Sequence, residues 1–585
     1  MGGIARVFGK VLIANRGEIA VRIVRALREM GVTSVAVYSD PDREAPHTTI
    51  ADEAYHVGPA AATESYLNVG SLIEAARKSG ADAVHPGYGF LAESAPFAQA
   101  VEEAGLVWIG PHPGAIEAMG SKVQSRRIMA KAHVPMVPGT EGSIASPKQV
   151  SLFGEEHGFP VAVKASAGGG GKGFAVARDA SEAGSAFERA SREGEAYFGD
   201  ASVYVEKYLP SPRHVEIQVV RDRHGNAVHL GERDCSIQRR HQKLLEECPS
   251  PAIDPAMRQA MGEAALAAAE AVAYDNVGTV EFLVQSGEAT GEFYFLEMNT
   301  RVQVEHPVTE EVTGIDIVKT GIRIAAGEPL FFSQQDVTWR GHSIEVRLNA
   351  EDATRDFAPS PGVVTAYQEP GGPGVRVDSS LRGPGVVAES YDPLFAKLIV
   401  SGADREEALA RLGRALAEFR VEGISTTLPF FRAILGHEAF VSGEYTTGFI
   451  SEHMQSLQIQ PSNIGETGEA AEKSAREVEV EVNGKLFKVK VFGDEDMASG
   501  PPRRRRGETR RASTSEGAIQ APMQGTIVKV LVEEGQVVAA DEPVCILEAM
   551  KMESEVRSQK AGTVSEIRVQ AGQTVRSGDT LISVG

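Results

Sequence analysis

Glu281 and Glu297 lie in two short apolar runs, Thr279-Val280-Glu281-Phe282-Leu283-Val284 and Phe293-Tyr294-Phe295-Leu296-Glu297-Met298, on either side of a glycine-containing loop. A hairpin centred near Ala289 would set the two carboxylates face to face, where they repel unless a hard cation such as magnesium joins them. The same pair would fit a solvated sheet face, although Phe282, Phe295 and Leu296 predict partial burial. From Glu297 onward, Glu297, Asn299, Arg301, Gln303 and Glu305 fall at every second position. In an extended chain they share one face, and Met298, Val302 and Val304 take the other. A second chemical feature is Ser166-Ala167-Gly168-Gly169-Gly170-Gly171-Lys172-Gly173, set between two strand-like runs. Backbone amides without side chains can close on phosphate oxygens, so this is either a phosphate-binding flap or a flexible hairpin. It lacks the Walker A frame of an earlier Gly and a following Ser or Thr. The third feature is Lys551, between Met550 and Met552; modification there would turn a charged amine into a neutral amide, and without it the stretch is an ordinary surface turn.

The elements that must position these residues can be read along the chain. Val11-Leu12-Ile13-Ala14, a helical pattern from Gly17 to Met30 and Val35-Ala36-Val37-Tyr38 make a βαβ start to a parallel sheet. Its turn lacks the dinucleotide fingerprint. Residues 255–274 read as an Ala-rich helix with a packing role, and 342–350 as a strand presenting Arg347 on one face. Asn483-Gly484 predicts a hairpin over 478–491. Residues 525–547 and 562–584 repeat without a gap at an offset of 37, which predicts two interlocked halves of a small β sandwich, with Lys551 between them. The segment 494–516, with its Arg-rich stretch, reads as a linker of about 25–29 Å r.m.s. span.

The 585-residue length is a prior for about four domains. A formal net charge of −21 argues against nucleic-acid binding, and anionic substrates then need a metal and local Lys and Arg. Cys235, Cys248 and Cys545 make neither a disulfide framework nor a metal pattern, so a reducing cytoplasm is expected, and no apolar run would span a bilayer.

Glu548-Ala549-Met550-Lys551-Met552 resembles the attachment site of biotin carboxyl carrier domains. Glu232 to Lys243 (ERDCSIQRRHQK) and Glu297 to Glu310 (EMNTRVQVEHPVTE) resemble biotin carboxylases, and the glycine loop between strands resembles the lid of ATP-grasp enzymes. Taken together the chain is similar to the α subunits of acyl-CoA carboxylases of the actinobacterial type. The resemblance implies a multidomain α/β chain: a biotin carboxylase N-terminal domain over 1–114, an ATP-grasp domain over 115–334 with a lid near 136–208, and a C-terminal α+β domain over 335–455. A linker over 456–516 and an all-β biotinyl barrel-sandwich over 517–585 follow. It implies biotin on Lys551 and ATP held by Lys122, Lys164, Gly168, Gly169, Gly170, Gly171, Glu206, Lys207, Leu209, His214, Gln238 and His241. Magnesium or manganese would sit on Glu281, Glu297 and Asn299, and bicarbonate among Lys243, Arg301, Gln303 and Val304. Glu305 would be the base and Arg347 would lie beside the biotin ring, with Lys243 and Arg301 completing the catalytic set. Expected partners are a biotin protein ligase and, in an oligomeric complex, a carboxyltransferase β subunit. The resemblance leaves open a component of a pyruvate or urea carboxylase, and a non-catalytic biotinylated scaffold.

Overall fold

The computed structural model describes residues 7–140, 142–166, 173–285, 292–462, 475–482, 485–492, 518–521, 525–549, 552–575 and 578–585. They fall into two compact units, Met1–Ser462 and Asn463–Gly585.

The first unit opens as expected, with β1 (Lys10–Ile13), α1 (Gly17–Glu29) and β2 (Thr33–Ser39). With β3 (Glu53–Gly58), β4 (Ala83–His85) and β5 (Val107–Trp108) they form a parallel sheet in the order β3-β2-β1-β4-β5. Sheets covered on both faces need continuous apolar strands, and Val11, Leu12 and Ile13 are all buried. A three-stranded sheet follows, β6 (Val161–Ala165), β7 (Phe174–Ala177) and β8 (Val203–Lys207), in the order β7-β6-β8. Gly168, Gly169, Gly170 and Gly171, between β6 and β7, lie outside the described residues.

An eight-stranded antiparallel sheet carries the rest. Its strands are β9 (Arg213–Arg221), β10 (Ala227–Arg239), β11 (Gln242–Cys248), β12 (Val277–Val284), β13 (Phe293–Asn299), β14 (His342–Asn349), β15 (Val375–Ser379) and β16 (Leu394–Gly402). The order is β13-β12-β9-β10-β11-β14-β16-β15. Strands from either side of residue 334 therefore share one sheet, which is how Glu281, Lys243 and Arg347 come to lie on elements of a single layer. The helix α2 (Pro255–Ala271), capped by Asp254, packs Met261, Ala265, Ala268 and Ala269 into the core with Phe282. The helix α3 (His306–Thr313) lies C-terminal to the polar run.

In the second unit β17 (Ala475–Val482) and β18 (Lys485–Phe492) pair as a hairpin through Val482 and Lys485. The internal repeat is visible strand by strand. Pairs β20 (Gly525–Val530) and β24 (Gly562–Ile567), and β21 (Val537–Val538) and β25 (Thr574–Val575), follow the 37-residue offset. The remaining strands are β19 (Ala518–Gln520), β22 (Pro543–Ala549), β23 (Met552–Arg557) and β26 (Thr580–Val584). The two sheets, β19-β26-β24-β21 and β23-β22-β20-β25, each hold a strand from the other half, so the halves interlock as predicted. Gly535 and Gly572, at φ +87° and +85°, make the same left-handed turn in each half. β22 and β23 pair up to Ala549 and Met552; Lys551, between them, lies outside the described residues.

Candidate active site

Where β12 and β13 pair, Glu281 faces Glu297. One step later Phe282 pairs with Phe295, so Leu296 is an extra residue on the edge strand, and bulges of this kind re-aim side chains. The expected burial is corrected accordingly: Phe282 and Phe295 are buried, but Leu296 is 41% exposed. The turn near Ala289 lies outside the described residues.

A second expectation also changes. The alternating run is not one strand, because β13 ends at Asn299. The Thr300 N–H donates to Glu93 Oε1 at 3.1 Å instead of to a neighbouring strand, and the chain turns there. Glu305 then stands at the N-terminus of α3. The polar side chains still converge, from a strand end and a loop. Gln303 Nε2 and Asn299 Nδ2 each donate to Glu281 Oε1 at 2.9 Å, and Asn299 Oδ1 accepts from Arg301 Nη2 at 2.9 Å. Arg301 Nε lies 3.1 Å from Glu93.

Lys243 is the centre of this group. Its Nζ donates to Glu216 Oε2 at 2.6 Å, and to Glu281 Oε1 and Glu305 Oε1 at 2.7 Å each. Those are all three protons an ammonium offers. Burial alone would favour the neutral amine, but the three carboxylates outweigh it and hold the Lys243 pKa well above its usual value. The converse holds for Glu281 and Glu305. Burial would raise both carboxyls, yet Lys243 and His214 hold Glu281 below the ordinary range, and Lys243 and Arg347 do the same to Glu305.

Arg347 bridges outward from Glu305. Its Nη2 donates to Glu305 Oε2 at 2.9 Å and its Nε to Glu246 Oε1 at 2.6 Å. Glu246, fully buried, is pushed up to about 7 by burial that Arg347 offsets only in part.

Two members of the cluster had no role in the sequence reading. Glu216 is one, and Arg233 is the other: its guanidinium is fully buried and reaches Glu216, Gln218, Thr309, Thr279 and Gln303 at 2.5–3.0 Å. Glu216 had a visible signal, since His214, Glu216 and Gln218 alternate along β9.

His214 Nε2 lies 2.9 Å from Glu281 Oε2, close but not aligned as a hydrogen bond, and Gln238 Nε2 is 3.3 Å from His214 Nδ1. His241 follows in the two-residue β10–β11 turn, where Arg240 and His241 both have positive φ, 49° and 67°. Such turns usually take Asn-Gly, and strained side-chain-bearing turns cluster at functional sites.

The remaining residues lie on other elements. Lys164 on β6 pairs with Glu206 on β8, whose other oxygen is 3.6 Å from Arg126. Lys207 ends β8, and Leu209 is buried just beyond it. Lys122 begins the helix Lys122–Lys131. Val304 offers its carbonyl to Lys397.

The residues fit a hard divalent cation. Glu281 and Glu297 face each other on adjacent strands and Asn299 is two residues further along β13, a set of oxygen donors of the kind magnesium or manganese takes.

Four family models match the chain: "Biotin carboxylase, N-terminal domain" over residues 7–116, "Carbamoyl-phosphate synthase L chain, ATP binding domain" over 121–332, "Biotin carboxylase C-terminal domain" over 345–452 and "Biotin-requiring enzyme" over 517–584. The biotin-dependent acyl-coenzyme A carboxylase alpha3 subunit of Mycobacterium leprae is 46% identical over 98% of this chain and 98% of its own length. A pyruvate carboxylase subunit from Methanothermobacter thermautotrophicus is 50% identical over 78% of this chain and 92% of its own. Among solved structures, the biotin carboxylase domain of Hydrogenobacter thermophilus 2-oxoglutarate carboxylase, in complex with MgADP, ADP and bicarbonate, is 46% identical with a TM-score of 0.70, covering 76% of this chain and 98% of that one. The chain therefore belongs to the biotin carboxylase family, as a ligase that carries its own biotin-requiring domain.

Proposed function

We propose that the chain carboxylates biotin on Lys551 at the expense of ATP, with bicarbonate as the carbon source, and passes the carboxyl group to a separate carboxyltransferase subunit that acts on an acyl-CoA, acetyl-CoA or propionyl-CoA. The observation that carries the reading is the chain of contacts from Lys243 through Glu305 to Arg347. One ammonium, one carboxylate and one guanidinium are held in contact beside the facing pair Glu281 and Glu297.

Phosphoryl transfer is catalysed mainly by positioning and charge neutralisation. Lys122, Lys164, His214 and the glycine loop take the phosphate charge, and Glu206, Lys207, Leu209, Gln238 and His241 hold the rest of the nucleotide. Glu281, Glu297 and Asn299 hold magnesium, which supplies charge neutralisation when bound. Bicarbonate is held by Lys243, Arg301, Gln303 and the Val304 N–H, which has no acceptor among the described residues. Glu305 takes its proton. Carboxyphosphate forms from bicarbonate and ATP and breaks down to CO2 and phosphate. The released phosphate takes the N1 proton of biotin, Arg347 stabilises the negative charge that develops on the ring, and N1 then bonds to the CO2.

The acyl-CoA acceptor is supported by coverage. The Mycobacterium leprae alpha3 subunit matches the chain through both the carboxylase and the biotin-requiring segments, whereas the pyruvate carboxylase subunit matches only 78% of it. The domain limits proposed are 1–114, 115–334, 335–455, 456–516 and 517–585. A biotin protein ligase loads Lys551, the complex is oligomeric, and the compartment is the cytoplasm; among the described residues no helix is long and apolar enough to cross a membrane.

The test is Glu305→Ala. It keeps nucleotide binding and loses bicarbonate-dependent ATP turnover by about 10²–10⁴-fold; turnover at the wild-type rate refutes the base role. Labelled bicarbonate offered with acetyl-CoA, propionyl-CoA and pyruvate to the native complex identifies the acceptor, and label in pyruvate alone overturns the acyl-CoA reading.

A further inference from the structure

Lys397 belongs to no part of the chemistry described above, yet it is one of the most thoroughly buried charges in the molecule. Its side chain is 0% exposed, and burying an ammonium is costly unless it is paired and hydrogen-bonded. It lies in a layer of charge on one face of the eight-stranded sheet. Register sets Lys397 beside Arg347 on β14 and beside Asp378 on β15, and Arg347 is the residue that holds Glu305. From α1, Glu18 Oε2 approaches Lys397 Nζ to 3.5 Å.

The contact that matters is to the polar loop. Lys397 Nζ donates to the Val304 carbonyl oxygen at 2.7 Å. The preceding carbonyl, of Gln303, lies 2.7 Å from His306 Nδ1. A carbonyl can only accept, so the His306 proton sits on Nδ1. Two successive carbonyls of the loop are thus pinned by buried side-chain donors. Peptide planes held in this way cannot rotate, and the Val304 N–H between them stays free of any acceptor among the described residues. A charged donor fixes the carbonyl more strongly than a neutral one.

We propose that Lys397 is a positioning residue for bicarbonate: by pinning the Val304 carbonyl it holds the segment from Gln303 to Glu305 so that the Val304 N–H and the Glu305 carboxylate address one anion. Against burial, Glu18, Glu345 and Asp378 hold the Lys397 pKa above its usual value. The inference rests on the reading of Gln303, Val304 and Glu305 as the bicarbonate pocket.

The test uses the full biotinylated chain and bicarbonate-dependent ADP release, with bicarbonate varied at saturating ATP and then ATP varied at saturating bicarbonate. Lys397→Met leaves Glu18 buried without its partner, so Glu18→Gln/Lys397→Met, which removes both charges together, is measured beside it. Misplacing a positioned group by about 1 Å costs up to about a hundredfold, so the KM for bicarbonate rises about tenfold or more in both variants while the KM for ATP stays within about twofold. Lys397→Arg, which keeps a charged donor, recovers part of the loss. An unmoved bicarbonate KM, or bicarbonate and ATP KM values rising together, overturns the assignment. If the unmodified chain releases ADP no faster with bicarbonate than without it, the pocket reading fails and Lys397 with it; if only the variants are unmoved, the pocket stands and Lys397 alone is refuted.

Discussion

Glu247 offers a prediction whose sign and size follow from the structure. It is fully buried on β11, and its carboxylate accepts from His342 Nε2 at 2.6 Å, from Arg405 Nε at 2.7 Å and Nη2 at 3.1 Å, and from the Tyr445 hydroxyl. Burial would raise its pKa, but hydrogen bonds from His342 and Arg405 outweigh burial and bring it down to about 2 from an ordinary 4.5. A depressed carboxyl contributes stability that is fully present above the unfolded value and is lost as pH falls toward the folded one. At about 1.4 kcal/mol per pH unit the contribution is roughly 3 kcal/mol at pH 7 and less than half of that near pH 3. Glu247→Gln removes the ionisation and leaves Arg405 without its anion. The expected cost is about 3–5 kcal/mol at pH 7, and the gap between variant and wild type narrows between about pH 4.5 and pH 3. Urea unfolding followed by tryptophan fluorescence, repeated at intervals from pH 7 to pH 3, measures both. A gap that stays constant over that range would show that the ionised form is not what stabilises the junction.

Two more outcomes are expected. Glu297→Gln removes one carboxylate of the facing pair and raises the magnesium concentration for half-maximal ATP turnover by about tenfold; an unchanged magnesium dependence removes Glu297 from the cation site. In the repeat, Gly535 and Gly572 have positive φ and nothing within 4 Å of where a Cβ would stand, so Gly535→Ala and Gly572→Ala incur backbone strain alone. Each costs about 1–2 kcal/mol, and the two agree within about 0.5 kcal/mol. Hydrogen exchange over residues 525–585 in the full chain measures this, and clearly unequal losses break the equivalence of the two halves.

How far the sequence carries depends on the distance over which a fact is decided. The offset of 37 predicted the interlocked halves because each half repeats its own turn and strand pattern locally, and β20 and β24 follow it residue by residue. Glu281 opposite Glu297 was legible for the same reason, as two runs joined by one short loop. The extra residue Leu296 was not, because a bulge leaves the alternation of residue types unchanged while shifting which side each one faces. Nor was the end of β13, which is set by Glu93, more than 200 residues away in sequence, taking the Thr300 N–H. The same limit hid Arg233: a long motif contains it, but its role depends on β9, β12 and the Gln303 loop meeting around it. Lys397 was hidden in the same way, because its ammonium meets the Val304 carbonyl only once β16 and the polar loop come together.

The proposed base role sets a requirement that the resting geometry meets only when substrate arrives. A general base works best with a pKa near the operating pH, yet Lys243 and Arg347 hold Glu305 well below the carboxylate range. An anion entering beside Lys243 changes that balance in two ways. It competes for the Lys243 protons that Glu216, Glu281 and Glu305 now share, and it adds a negative charge close to Glu305; both weaken the stabilisation of the carboxylate and raise its proton affinity. Glu246, on the far side of Arg347, shares the same guanidinium, and burial raises its pKa. On the proposed base role, basicity at Glu305 is then a consequence of filling the pocket.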